Sequence, residues 1–339
     1  MSVVSVRDVA LRAGVSVGTV SNVMNHPDKV AAATVARVRA AIDELGFIPN
    51  DAARQLRNGR SKTIGLVVLD VRNPFFTDVA RGAEDEAALA GLIVTLGNSD
   101  ENTEREAVYL DLFEQQRVHG ILISPYADIT PRLHSLRARG IPAVLVDRTS
   151  PDTSISSVSV DDIAGGAMAV EHLAAQGRRR IAFVGGPLEI RQVADRLEGA
   201  RRAAAAHPGL TLEIIDIAAS TVIEGRAAGA AIVARSPEQR PDAVFAANDL
   251  ISMGVLQALM MQGANVRVPD EIALIGYDDI DFASAAVVPL SSIRQPSALI
   301  GGTAVRILLE EAADPSIAAR QIEFQPELVV RASTHGWDN

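Results

Sequence analysis

The chain has 339 residues, 48% of them hydrophobic, a formal net charge of −10 and no cysteine. That length accommodates two or three domains with real cores, and the hydrophobic content excludes a disordered chain. The missing thiols exclude disulfides and thiolate metal sites. Six scattered histidines show no ligand spacing, the N-terminus lacks an apolar signal core, and no run reaches the length of a membrane span. A soluble, cytoplasmic protein without metal or cofactor is expected.

The charge is uneven. Residues 1–60 carry eight Arg or Lys and five acids, a net +3, which leaves −13 on residues 61–339. A basic head can hold phosphates locally while an acidic body repels non-specific DNA.

The first sixty residues read as short helices. Ser5 and Asp8 have the spacing of a capping box, Val6, Val9, Ala10 and Ala13 make one apolar face, and Gly14 can stop the helix in the left-handed conformation. Ser16 can cap a second helix over 17–25, with Val20, Val23 and Met24 buried. Two short helices joined by a turn containing Gly form a helix-turn-helix. A third helix over 32–45 ends at Gly46. In this arrangement the second helix lies in the major groove. Ser16, Val17, Gly18, Thr19, Ser21 and Asn22 are its candidate DNA contacts: Thr19 and Ser21 suit phosphates, Asn22 a base edge, and Val17 a thymine methyl.

Residues 49–59 read as a further short helix, with Pro49 before it, Asn50 as cap and Gly59 after it. Such a helix is marginal alone, because nucleation is costly. Ala53 permits close approach, and Leu56 is an apolar side chain flanked by Arg54 and Arg57. That is the make-up of a wedge for the minor groove; the alternative is a linker helix packing Leu56 on the body. The stretches VRDVALRAGVSVGTVSNVMN and GFIPNDAARQLRNGRSKTIGLVV resemble the lactose-repressor (LacI/GalR) family. The resemblance implies that the second helix reads an operator and that Asn50, Ala53 and Leu56 are hinge-helix positions. Gly18 departs from the pattern, since family members usually carry a base-reading side chain there.

From Thr63 onward, apolar runs alternate with helical stretches. Strands are expected over 64–71, 92–96, 120–124, 143–147, 158–161, 181–184, 212–216, 243–246, 272–276 and 291–295. Continuous apolar strands spaced by crossover helices indicate parallel sheets covered on both faces, here two doubly wound α/β lobes. The resemblance implies a body like a periplasmic sugar-binding protein that crosses between lobes near residues 162, 290 and 322. The expected organisation is a head over 1–48, a hinge over 49–61 and a body over 62–339. Its N-lobe takes about 62–162 and 291–322, its C-lobe about 163–290 and 323–339.

Ligands of such sheets bind outside the carboxyl ends of the strands. Polar and aromatic residues gather there: Asp70, Asn73, Phe75, Phe76, Asp147, Asn248, Asp278 and Gln295, with Arg196 in the helix after Gly185-Gly186-Pro187. Carboxylates and amides direct hydrogen bonds to hydroxyls, an Arg fork bridges two of them, and Phe offers an apolar face to a ring. The resemblance implies effector contacts at Arg196, Asn248, Asp278 and Gln295, and at Asp147. Strand-end Asp and Asn also cap helices, the reading favoured for Asp249 and Asp279. Val160 and Ser220 occupy positions that are often aromatic in the family, and Ile190 one that is polar in purine-responsive relatives, which favours a small sugar over a purine.

No dinucleotide fingerprint, P-loop, nucleophile elbow or zincin motif is present. The expected protein is a dimeric repressor, not an enzyme. Its partners are a pseudo-palindromic operator and a small-molecule effector, a carbohydrate by preference. A protein co-effector, a nucleobase corepressor, and more distantly a transport component or an enzyme are the alternatives.

Overall fold

The computed structural model describes residues 4–47, 61–261, 263–264 and 266–335. They fall into two units, divided between Arg60 and Ser61.

In the first unit, α1 (Val6–Ala13) opens on the capping pair: the Asp8 carboxylate accepts from the Ser5 backbone N–H at 2.8 Å and from its hydroxyl at 2.7 Å. Gly14, at φ 64°, ends it in the left-handed conformation. Ser16 then caps α2 (Val17–Asn25) by accepting from the Thr19 N–H at 3.1 Å. α3 (Ala32–Leu45) completes the head. Val9, Ala10, Ala13, Val20, Val23, Val38, Ala41 and Phe47 form its core, and outside that core Arg12 pairs with Glu44. So few buried side chains make a small margin, so each cap and each core methyl counts.

The second unit contains two six-stranded sheets. The first has the order β11-β5-β4-β3-β1-β2, where β1 is Thr63–Val68, β2 Ile93–Asn98, β3 Gly120–Ile123, β4 Ala143–Val146, β5 Ser156–Val160 and β11 Gln321–Phe324. The second has the order β12-β10-β9-β8-β6-β7, where β6 is Arg180–Gly185, β7 Thr211–Asp216, β8 Ala243–Ala246, β9 Ala273–Asp278, β10 Ser291–Arg294 and β12 Glu327–Val329. All pairings are parallel except β10 with β12. Helices α4 (Pro74–Leu89), α5 (Thr103–Gln115), α6 (Thr130–Ala138) and α12 (Ser297–Ala313) serve the first lobe. The second has α7 (Asp162–Ala175), α8 (Arg191–Ala206), α9 (Val222–Val233), α10 (Asp249–Met260), α11 (Asp281–Ala285) and α13 (Ala332–His335).

Three features differ from the sequence reading. β10 pairs in parallel with β9, Ile293 against Tyr277, and so belongs to the C-lobe, whereas 291–322 was expected in the N-lobe. The chain therefore crosses after Gln295 rather than near 290, and α12 is the segment that returns to the N-lobe. An apolar run names no sheet; the choice rests on tertiary partners, here the Ser292 hydroxyl donating to Asp249 at 2.8 Å. β5 begins at Ser156, two residues earlier than expected. Its first residue, Ser156, is fully buried because it hydrogen-bonds Glu311 and accepts from the Arg320 N–H. β11 and β12 were not anticipated as strands: β11 pairs with β5 through Phe324, so the final crossing falls beyond residue 324 rather than near 322.

One close approach fixes the site. A Cβ on Gly166 of α7 would lie 2.0 Å from the carbonyl oxygen of Arg196 on α8. Only Gly lets the two helices meet so closely, and that contact positions the Arg196 side chain.

Candidate functional site

On the head, α2 presents Ser16, Val17, Gly18 and Asn22 to solvent, Val17 at 42% exposure. Thr19 and Ser21 are half-buried. The Thr19 hydroxyl pairs with that of Ser16 at 2.9 Å, and Asn25 donates to the Ser21 carbonyl at 2.8 Å. A Cβ on Gly18 would meet nothing nearer than Ser16 Oγ at 3.7 Å, so packing does not require glycine there. Asn50, Ala53, Arg54, Leu56 and Arg57 lie outside the described residues.

In the body, the carboxyl ends of the two sheets face each other across a cleft. The cavity left between them is about 50 Å³, room for a few waters where one needs about 10–15 Å³, so the cleft is nearly closed. Asp70, Asn73, Phe75, Phe76, Asp147, Arg196, Ser220, Asn248 and Asp278 line it together. Val160 does not: it is buried in β5, paired with Phe324. Gln295 stands behind the wall, donating to Asp278 Oδ1 at 2.7 Å.

Arg196 is the centre of the charge arrangement. Its Nε donates to Asp162 at 2.8 Å and its Nη1 to the Ala247 carbonyl at 2.8 Å; Nη1 also lies 3.7 Å from Asp278. The guanidinium carbon stacks 3.7 Å from the Tyr277 ring centroid. Burial disfavours the charged form, yet Asp162 and Asp278 outweigh it and raise the Arg196 pKa. Burial also raises Asp278, against the pull of Arg196, and raises Asp147 well above the ordinary carboxylate value, with Asp162 adding to the shift. Asp147 and Asp278 adopt φ of 58° and 100°. Non-glycine residues held there store strain and concentrate at functional sites; here the geometry turns both carboxylates off their strand ends into the cleft.

Two side chains, Asn73 and Gln192, reach across the cleft. Asn73, which also caps α4 by accepting from the Phe75 N–H, donates to Asp278 Oδ2 at 2.9 Å. Gln192 of α8 donates to the Asp147 carbonyl at 2.6 Å and to its Oδ2 at 2.9 Å. Among the described residues, Asp147 Oδ1 and Gln192 Oε1 are buried acceptors without a partner. Phe75 and Phe76 pack edge to face at 5.1 Å. Asn248 caps α10 and donates to the Ser220 carbonyl; the Ser220 hydroxyl donates to Gly186. Asp70 is bound by Arg72.

Asp249 and Asp279 serve structure, as read from the sequence. Asp249 accepts from the Ile280 N–H and the Ser292 hydroxyl, and Asp279 pairs with Arg294 and Arg331. Gln192 and Asp162 were missed as site residues. A signal for Gln192 existed: it lies four residues before Arg196, one helical turn away on the same face. No group of acids or histidines suited to a metal occurs among the described residues, and none of their helices is long and apolar enough to cross a membrane.

Comparison with known proteins places these two sites in one context. Residues 5–50 match the model of bacterial regulatory proteins of the lacI family, and residues 170–334 that of a periplasmic binding protein-like domain. The chain belongs to the lacI family: it is a transcriptional regulator, not an enzyme. It is 36% identical to the HTH-type transcriptional repressor PurR of Photobacterium profundum, over 97% of this chain and 98% of that protein. It is 33% identical to the ribose operon repressor of Escherichia coli K12, over 97% and 99%. Among solved structures it resembles the lac repressor dimer bound to operator and the anti-inducer ONPF, at 28% identity and a TM-score of 0.83, over 98% and 99% of the two chains.

Proposed function

We propose that the chain acts as a homodimer on a pseudo-palindromic operator and that a small polyhydroxylated ligand, a sugar or sugar derivative, binds between the lobes and sets operator affinity. The observation that carries the ligand reading is the pair of buried, unpartnered acceptors, Asp147 Oδ1 and Gln192 Oε1, opposite the Arg196–Asp278 pair. Unpaired buried acceptors are costly, and hydroxyl donors satisfy them. The same hydroxyls can replace the cross-cleft bonds of Asn73 and Gln192, so binding alters how the lobes hold each other. Ser220 offers hydroxyl chemistry rather than a second ring opposite Phe75 and Phe76, which favours a sugar over a nucleobase held between two rings.

Dimerisation is supported by exposed apolar residues at the β2 edge of the first lobe, Leu89, Ile93 and Val108, and by Ile223, Met261 and Val287 on the second. One head makes too few phosphate contacts for tight binding, and two on a symmetric dimer read two half-sites. On the head, Val17, Asn22 and the hinge arginines supply base and phosphate contacts. A thermal-shift screen of monosaccharides and nucleobases, followed by an operator gel shift titrated with each hit, tests this reading. A monosaccharide that stabilises the protein and changes operator affinity is expected, with operator changing its affinity reciprocally. A nucleobase as the only hit would replace the sugar. No hit from either class, or hits that leave operator binding untouched, would remove the allosteric reading.

A further inference from the structure

A second cavity of about 310 Å³ adjoins the nearly closed cleft. Their linings alternate along the chain on either side of the Gln192–Asp147 contact. Ile190 and Gln192 line the inner cavity while Arg191 between them lines the outer one; Asp147 lines the inner, and the next residue, Arg148, the outer. The wall between them is therefore a pair of side chains hydrogen-bonded across the lobes, with an arginine from each lobe on its far side.

We propose that this outer cavity is an anion subsite, taking a phosphate group between Arg148 and Arg191. Arg148 is half-buried and anchored by Nη1 donating to the carbonyls of Pro125 and Ala127 at 3.1 and 3.0 Å. Arg191 gives its Nε to Asp195 at 2.7 Å. Among the described residues, Arg148 Nε and Nη2 and both Nη atoms of Arg191 make no hydrogen bond, which leaves two guanidinium edges for one anion. The acid in the lining, Asp128, accepts from the Thr130 N–H at 2.9 Å and hydroxyl at 2.7 Å through Oδ1 alone; it keeps its charge, which leaves two guanidinium cations against one carboxylate around the cavity. Burial holds the Arg148 pKa below its ordinary value; Asp128 opposes that shift and the charge of Arg191 reinforces it. A phosphate would relieve both the burial cost and the repulsion. The anion can arrive free or as the phosphomonoester of a ligand whose ring lies in the inner cavity, because the Gln192–Asp147 wall opens when the lobes part.

Inorganic phosphate probes the subsite without any sugar, so the outcome is separable from the sugar reading above. Isothermal titration of the full chain at constant ionic strength should show saturable phosphate binding, weakened about tenfold or more by Arg191→Gln, as loss of a charge-assisted bond predicts. Arg191 is mostly exposed, so this variant keeps the wild-type melting temperature in chloride; Arg148→Gln should weaken binding similarly. No saturable binding by the wild type, or equal binding by Arg191→Gln, overturns the proposal. Ribose 5-phosphate binding more tightly than phosphate assigns the anion to a ligand's tail, and equal affinity assigns it to a free anion; both sustain the subsite.

Discussion

The head and the body place their functional side chains in opposite environments. On α2, Val17, Gly18 and Asn22 stand in solvent above a small apolar core, and none is needed to hold the helix. In the cleft, Asp147, Gln192, Arg196 and Asp278 are all at most 6% exposed and are each other's partners. A surface that reads a large external polymer must be accessible, so its residues can change without disturbing the fold. A site that encloses a small ligand must be desolvated, so its charges become part of the stability of the body.

The largest expected effect tests that coupling. Arg196→Ala strands Asp162 and Asp278 without their cation; breaking a buried pair costs about 3–5 kcal/mol. Chemical denaturation should show a loss of that order in the body, together with loss of effector response. A variant as stable as wild type would show that the buried charges do not hold the lobe.

A smaller effect appears as a slope. The Asp147 pKa is raised by burial, so the folded state holds its proton more tightly than the unfolded chain does. Its contribution is fully present below the unfolded value of about 3.9 and is lost as pH rises through the folded value. Melting temperature measured against pH should therefore fall less steeply across that window in Asp147→Asn than in wild type. Parallel curves would place Asp147 in a wetter site than the closed cleft.

The smallest effect belongs to the head and carries the opposite sign. Gly18 sits in open space in the first turn of α2, where Ala is more favourable by less than the about 1 kcal/mol of a helix interior. Gly18→Ala should raise the melting temperature slightly and shift operator preference at one base pair, read by binding-site selection. Destabilisation would mean that the position is less open than its surroundings indicate.

The head was legible because its signals are local. The Ser5–Asp8 box, the Ser16 cap and the stops at Gly14 and Gly46 lie within a turn of what they control, and all three helices begin and end where read. The alternation of strands and helices was equally legible, as was the gathering of Asp, Asn and Arg at strand ends. β5 was misjudged at its start because Ser156 looks polar and is buried only through partners more than 150 residues away.

Periodicity, capping chemistry and residue type were thus determined by the sequence alone, since each is a property of a short stretch of chain. Tertiary structure decided which lobe receives β10, that Gln192 rather than Val160 or Gln295 faces the cavity, and that Asn73 meets Asp278 across 205 residues. The physical reason is that hydrogen-bond satisfaction in a desolvated cleft is a condition on groups brought together by folding. No local pattern states which distant donor will meet which buried acceptor.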